Sequence, residues 1–457
     1  MSSTLAGRTR SSTGLKFMVV CGLALFISVA GLFVTSVVED RANRAAAVIR
    51  EVSALVGGEQ IFLGPTLAVP CSFPSLPATD PGKHGVFLIS PERGSAVLKT
   101  KTEERRRSLF RVPVFQADLV MDAAFDLTGV GMATPEGAEL DWNKAEILVG
   151  VSDARGALAD ATATMDNKTF TLVPASSSLD FAARRKMSLF GANAGTMAKP
   201  NAQFTVSSAL RFSGAQRVAV LAYAKTTHLL AQGDWPSPGF DGGFLPVSRT
   251  VNAQGFAAEW SVPFIARGVP SAGLANTMVG LDATALGVSF VEVADPYQSV
   301  SRSLKYIPLF LGLIFLAYFL FETSTGKRVH PAQYILVGIA QLIFYLLLLS
   351  LAERIGFDTG FLIAGAATVC LLSCNAGWIF SSRLQAARAF ALFTLLYSLI
   401  YFLLRLEDNA LLVGALASFL AVAAAMYFTR KIEWYGSVLT TKGPGLPGQK
   451  EPQGDPA

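Results

Sequence analysis

Apolar residues gather at the two ends of this chain, and polar, turn-rich sequence fills the middle. A first uncharged apolar run covers residues 17–38, and five more crowd into residues 306–428. About 20 apolar residues in a helix cross the hydrocarbon core of a bilayer. Because backbone in lipid has to satisfy its own hydrogen bonds, runs of this length are predicted to be helices. The pattern predicts six transmembrane helices, arranged as one plus five. The later five are predicted at residues 306–321, 332–352, 360–380, 389–404 and 410–428.

The first apolar run is predicted to be an uncleaved anchor. A signal peptide would have a shorter apolar core and end in a small-residue cleavage site. Here the run continues directly to Glu39 and Asp40. A lipoprotein signal ending at Cys21 does not fit either, because almost no apolar sequence precedes that cysteine.

The middle of the chain, residues 39–305, is predicted to be a large all-β domain. Residues 39–56 have helical spacing and extend the anchor as a helix. Beyond them, Gly, Pro and Asx residues punctuate short runs rich in Val, Phe, Thr and Ile, several of them alternating, which is typical of antiparallel strands. We expect a sandwich-like architecture, either one large sandwich or two lobes divided near Asn167. Strands are predicted at residues 66–69, 85–89, 145–151, 169–173, 203–212, 217–227, 256–262 and 285–293.

The positions of lysine and arginine predict which side of the membrane each segment occupies. Cationic residues of short connections prefer the cytoplasmic side. With the N-terminal tail inside, Arg354 and Arg405 are the cations that fall outside. Those that fall inside are Arg8, Arg10, Lys16, Lys327, Arg328, Arg383, Arg388, Arg430, Lys431, Lys442 and Lys450. The predicted organisation is a cytoplasmic tail (1–16), a transmembrane helix (17–38), a periplasmic β-rich domain (39–305), a five-helix membrane domain (306–428) and a cytoplasmic tail (429–457).

The composition agrees with a membrane protein and argues against other classes of protein. Apolar residues make up 51% of the 457 residues and charged residues 16%, below the roughly 25% usual in soluble domains. The net charge of +5 is explained by cations that flank the spans. Because no basic patch is interleaved with aromatic residues, no nucleic-acid partner is predicted. Four cysteines make no disulfide framework, since Cys71 is the sole one outside the apolar runs.

The sequence offers no constellation for catalysis, a metal or a cofactor. The chain has three histidines, His84, His228 and His330, none at metal-binding spacing with another ligand. Nucleotide-binding glycine patterns and a Gly-x-Ser-x-Gly elbow are absent from the sequence. We predict a protein that is not an enzyme and has no cofactor, metal or catalytic residue. An envelope hydrolase that uses His228 is the remaining enzymatic hypothesis.

Two sets of residues are candidates for binding. The loop at residues 233–246 is dense in Gly and Pro and carries Trp235, Phe240 and Phe244, which either cover the end of a β core or recognise a partner or glycan. Inside the predicted spans, Gln341 and Asn375 could hydrogen-bond across the bundle, in packing or in contact with a substrate. The ionisable groups of the bundle, among them Glu322, lie at span ends, where hydration or snorkelling is cheap.

Short motifs in a fixed order make the chain resemble a known protein family. They are GPTLAVP (64–70), VPV (112–114), GVSD with RG (150–156), DWP (234–236), FLP (244–246), AQGF (253–256), GVSF (287–290), HPxQY (330–334), ALLxG (410–414) and WY (434–435). In this order they resemble the CreD family of bacterial inner-membrane proteins. The resemblance implies a Gram-negative inner-membrane protein with a periplasmic domain, linked to cell envelope integrity, the Cre regulon, colicin tolerance and β-lactam response. It brings no catalytic residues with it.

The leading functional hypothesis is a non-enzymatic membrane protein. It would sit in the lipid bilayer of the inner membrane, support envelope integrity and the envelope-stress response, and contact an envelope protein, glycan or lipid through its periplasmic domain. The alternative is a transporter or flippase that uses the five-helix bundle.

Overall fold

The structure is a computed structural model that describes residues 13–80, 82–107, 110–175, 187–290, 296–327, 329–405 and 410–430. It contains two compact units. We call the described residues up to Asp40 and from Pro296 onward the membrane unit, and those between Arg41 and Asp295 the β unit. Most of the two predicted tails lies outside the described residues. So do Arg8, Arg10, Arg328, Lys431, Lys442 and Lys450, on which part of the orientation argument rests.

The helices follow the apolar runs of the sequence. In the described part of the chain they are α1 (Thr13–Leu55), α2 (Val130–Ala133), α3 (Phe264–Arg267), α4 (Pro296–Leu304), α5 (Ile307–Thr325), α6 (Pro331–Ile355), α7 (Phe357–Phe380), α8 (Arg383–Arg405) and α9 (Ala410–Thr429). The predicted anchor and the helix predicted after it form one continuous helix, α1.

The predicted fold class is confirmed, but its count of spans is corrected. Among the described residues, five helices are long and apolar enough to cross a membrane: α1, α5, α6, α7 and α8. The sequence pattern counted six. The sixth predicted segment does form a helix, α9, whose 20 residues carry no charge, but it is not among the five candidate spans found in the described residues.

Small residues let the helices of the membrane unit approach closely. A Cβ atom placed on Gly338 of α6 would lie 2.2 Å from Ile27 Cδ1 of α1, so a larger residue would push these helices apart. Close backbone approach at glycine is a common way for membrane helices to gain packing contacts. The interior is largely aromatic: Phe344, for instance, packs edge-to-face against Tyr397, with ring centroids 5.0 Å apart.

The β unit is built from two sheets. Its strands are β1 (Gln60–Ser72), β2 (His84–Ile89), β3 (Arg93–Arg107), β4 (Phe110–Asp126), β5 (Glu139–Leu140), β6 (Glu146–Val151), β7 (Thr162–Met165), β8 (Lys168–Thr171), β9 (Val173–Pro174), β10 (Ser188–Asn193), β11 (Gln203–Ala215), β12 (Arg217–Leu221), β13 (Thr226–Gly233), β14 (Pro238–Gly242), β15 (Ser248–Asn252), β16 (Gly255–Val262), β17 (Ala272–Leu274) and β18 (Ala285–Phe290). Among the described residues, one sheet has ten strands around β14-β18-β12-β1-β6-β10-β9, and the other has eight in the order β15-β16-β13-β3-β4-β11-β7-β8.

One buried core joins the two sheets, and this decides the question of lobes. Residues from both sheets, such as Phe62 and Phe212, belong to the same buried cluster, and their rings meet edge-to-face at 5.6 Å. The predicted division near Asn167 is wrong. Asp166 and Asn167, with φ of 46° and 64°, form the two-residue turn between β7 and β8. Because Asx residues tolerate positive φ, they suit such a hairpin turn.

Strand direction also departs in part from the expected antiparallel arrangement. Most pairs are antiparallel, but β1 pairs with β12 and β13 pairs with β3 in parallel. The charged run at residues 101–107 is the outer half of β3, which forms a long hairpin with β4. In the inner half of β3, Gly94, Ala96 and Leu98 are buried and alternate with exposed residues, as expected of a strand with one face on the core.

Tyr223 ties the two sheets together from the core. It follows β12 in the ten-stranded sheet, and its hydroxyl donates to the backbone oxygens of Ser95 (3.0 Å) and Asp122 (2.7 Å) in the eight-stranded sheet. The ring fits because two neighbours are glycines: a Cβ would lie 2.4 Å from it at Gly64 and 2.7 Å from it at Gly94. Burial raises the pKa of the Tyr223 phenol, so the neutral hydroxyl remains a donor.

Candidate functional site

The three aromatic residues of the 233–246 loop lie half-buried against the core of the β unit. Trp235 packs edge-to-face on Phe290 at 6.2 Å, and Phe240 packs on Trp260 at 5.9 Å. The backbone oxygen of Phe244 accepts a hydrogen bond from the Trp260 indole N–H at 3.0 Å. Part of this segment is a strand, because residues 238–242 form β14 and pair with β18. The aromatic rings therefore hold this segment against the core of the β unit.

The end of this loop carries two exposed apolar residues and leads to an open strand edge. Leu245 is 72% exposed and Val247 is 75% exposed. They lead into β15, whose five residues are all exposed and which pairs with β16. No other described strand pairs with β15, so its outer edge stands open. Unpaired backbone donors and acceptors at such an edge are a template for another strand. We call residues 245–251 the edge patch.

His228, the residue of the hydrolase hypothesis, stands on the solvent face of the eight-stranded sheet. The register places Ser95 and Ser261 beside it on the adjacent strands, with Asp122 one strand further. His228, Ser95 and Asp122 border a shallow depression of about 860 Å³ that Arg93 also lines. Within the described residues, no hydrogen bond joins His228 to a serine or to an acid, so the arrangement orients no nucleophile.

In the membrane unit, the two predicted polar residues bind tyrosines and not each other. Gln341 of α6 accepts a hydrogen bond from the Tyr397 hydroxyl of α8 at 2.9 Å, and Asn375 of α7 donates to the Tyr318 hydroxyl of α5 at 3.3 Å. The Gln341 amide nitrogen and the hydroxyl of Tyr345, one turn further along α6, are buried and have no partner in the described part of the chain.

A buried charged cluster joins four segments of the membrane unit, and the sequence interpretation missed it. Glu322, at the end of α5, has a side chain that is 8% exposed and forms a salt bridge with Lys16 of α1. Its other contacts are the Val329 backbone N–H (3.0 Å) and the Tyr334 hydroxyl (3.0 Å). Lys16 also donates to the Val329 oxygen at 2.8 Å. Glu322 was assigned to a hydrated span end; the fold instead encloses it, and the HPxQY motif that contains Tyr334 was the available signal.

Comparison with known proteins places this arrangement in a family. A family model described as "Inner membrane protein CreD" matches residues 12–435, which include both units. The chain belongs to the CreD family. It is also 28% identical over 431 residues to the inner membrane protein CreD of Escherichia coli (strain K12), covering 92% of this chain and 93% of that protein.

Membership of the CreD family confirms the resemblance that the motifs indicated. It is a family of inner-membrane proteins, and the several apolar helices of this chain indicate a multi-pass protein of that membrane. The structure also gives CreD motif residues physical roles. Tyr334 binds the buried Glu322, and Gly64 leaves room for the Tyr223 ring. Trp235, Phe240 and Phe244 support the edge patch from the core.

Proposed function

We propose that this member of the CreD family supports cell envelope integrity without catalysis, by holding its β unit on the periplasmic side of the inner membrane. There the edge patch binds an extended segment of another envelope protein. The observation that carries the proposal is the open edge of β15 beside exposed Leu245 and Val247. The cations of the short connections support a periplasmic β unit and cytoplasmic termini. The resemblance described from the sequence supports the link to the envelope.

Strand addition fits the chemistry of this surface. An incoming peptide in β conformation would hydrogen-bond to the outer backbone groups of β15, and its apolar side chains would cover Val247 and Val251. A glycan would instead favour exposed aromatic rings, whereas the three aromatic residues of this loop point into the core and are half-buried. A protein partner is therefore the occupant that the surface favours.

The test uses a matched pair of variants. Val247 and Val279 are both 75% exposed, but Val279 lies outside the edge patch. A photo-reactive residue is placed at Thr250 of β15 in the full-length protein, in cells, and the adducts are identified. We expect one recurrent envelope protein, lost with V247K and kept with V279K, because a lysine at an edge opposes strand addition. V247K should also fail to restore detergent resistance to cells that lack the gene.

The proposal is refuted by equal adducts in the two variants, or by full complementation by V247K at normal membrane levels. A reporter fused near Gly150 checks the orientation independently, and a cytoplasmic signal from it would contradict a periplasmic β unit.

A transporter or flippase is the second candidate, favoured by one observation. Gln341 Nε2 and the Tyr345 hydroxyl are buried polar groups without a described partner, and such groups inside a membrane bundle mark substrate contacts in transport proteins. This candidate predicts that Q341L abolishes function while the protein still folds and reaches the membrane. Normal complementation by Q341L counts against it.

A further inference from the structure

A groove runs along the outside of the membrane unit between α7 and α8. It encloses about 620 Å³, and its walls are almost entirely apolar. The α7 wall runs from Asp358 to Cys370, which at 1.5 Å per residue is about 18 Å. This length is close to one leaflet of hydrocarbon, about 15 Å. The groove is deep because Gly365 and Ala366, which line it, are small. The Tyr397 ring forms its floor and would lie 3.3 Å from a Cβ placed on Gly365.

One end of the groove is charged, because Asp358 lines it and Arg405 pairs with Asp358 there. Asp358, in the first turn of α7, forms a salt bridge with Arg405, in the last turn of α8. The Tyr401 hydroxyl donates to the same carboxylate at 3.1 Å. Half of each charged side chain remains open, 51% for Asp358 and 55% for Arg405. Each charge also lies at the helix end whose dipole stabilises it, so both can hold a further partner.

We propose that this groove binds one zwitterionic phospholipid, with an acyl chain between α7 and α8 and the headgroup at Asp358 and Arg405. Arg405 offers a cation for the phosphate and Asp358 an anion for the ammonium, side by side at the end of an apolar channel about one leaflet long. An anionic lipid without an ammonium group would satisfy Arg405 but place its charge beside Asp358. The site is distinct from the edge patch and does not depend on the proposed function.

Bound lipid would be held between the helices and not merely beside them. Gly365 and Ala366 leave a recess between the helices that an acyl chain can enter. A smooth helix surface offers no such recess, so lipid beside it is not enclosed. Leu362 and Phe402, which are exposed on the two rims, would close over the chain from the membrane side. The ligand is therefore a resident lipid with a defined headgroup, in contrast to the exchanging lipids around the other helices.

The test is photolabelling of the full-length protein in vesicles. Phosphatidylethanolamine and phosphatidylglycerol, each with a diazirine on the acyl chain, are compared, and labelled peptides are mapped. We expect phosphatidylethanolamine to label the 358–370 and 390–402 segments at least severalfold more than phosphatidylglycerol does. A366F should abolish this labelling, because it fills the groove. The matched control is A367F, an exposed neighbour that does not line the groove, and it should label as the wild type does.

Two further variants keep the outcome decisive. T394L narrows the groove from the α8 wall and should reduce labelling even if A366F fails to fold. D358N should remove the preference for phosphatidylethanolamine while chain labelling persists. Equal labelling of A366F and A367F, or equal labelling by the two lipids in the wild type, overturns the proposal.

Discussion

Removing Lys16 tests whether the buried charge cluster holds the membrane unit together. The Glu322 carboxylate is 8% exposed and sits among apolar helices, with Lys16 as its charged partner. In K16M the Val329 N–H and the Tyr334 hydroxyl remain as donors, but the negative charge loses its compensation. Breaking a buried ion pair from one side costs about 3–5 kcal/mol. Because the Lys16 side chain is 22% exposed, we expect the lower end, about 3 kcal/mol.

Three further variants separate the effect of losing the charge from the effect of losing the packing. K16R keeps the cation and should lose little stability. E322Q should cost less than K16M, because Lys16 can extend its ammonium to water. The double variant K16M/E322Q removes both charges and should recover most of the loss, since neutral replacement of a buried pair is often tolerated.

The assay is the free energy of unfolding of the purified protein in detergent, titrated with sodium dodecyl sulfate, with K305M as the control for an exposed lysine. A loss for K16M no larger than that for K305M would refute the reasoning. So would additive losses in the double variant, because they would show that the two charges do not interact.

Three further outcomes are expected in the β unit. Y223F should lower the unfolding free energy by about 1–2 kcal/mol, because two backbone carbonyls lose their donor; an unchanged denaturant midpoint would contradict this. G64A should cost at least about 2 kcal/mol by overpacking, because its Cβ would lie 2.4 Å from the Tyr223 ring, whereas G131A, with nothing within 4 Å, should be tolerated; equal midpoints for both would be the contrary result. The side-chain hydrogen bond from Arg155 lowers the pKa of Asp153, so this group stabilises the fold above the unfolded pKa of about 4 and loses that contribution as the pH falls through its lowered folded value. Acid unfolding of D153N should then depend less steeply on pH than that of the wild type, and identical profiles would exclude the effect.

The sequence determined the parts of this protein that depend on local patterns. Apolar runs long enough to cross a bilayer specify helices, because lipid offers the backbone no other hydrogen-bond partner. Alternation and turn residues specified eight strand segments of the β unit, each of which overlaps an observed strand, but not the long β3–β4 hairpin. Ordered motifs along both units indicate the CreD family without reference to any contact, and the family model matches residues 12–435. Each of these signals lies within a few neighbouring residues.

Only the tertiary structure decided what depends on residues distant in the chain. Lys16 and Glu322 are separated by 306 positions, and the local sequence around each residue does not indicate that they pair. Asp166 and Asn167 could equally mark a boundary between lobes or a tight turn, until the shared core of the two sheets made them a turn. The groove and the edge patch exist because helices and strands pack in a particular order. Burial, pairing and open edges follow from that order, so a linear pattern cannot determine them.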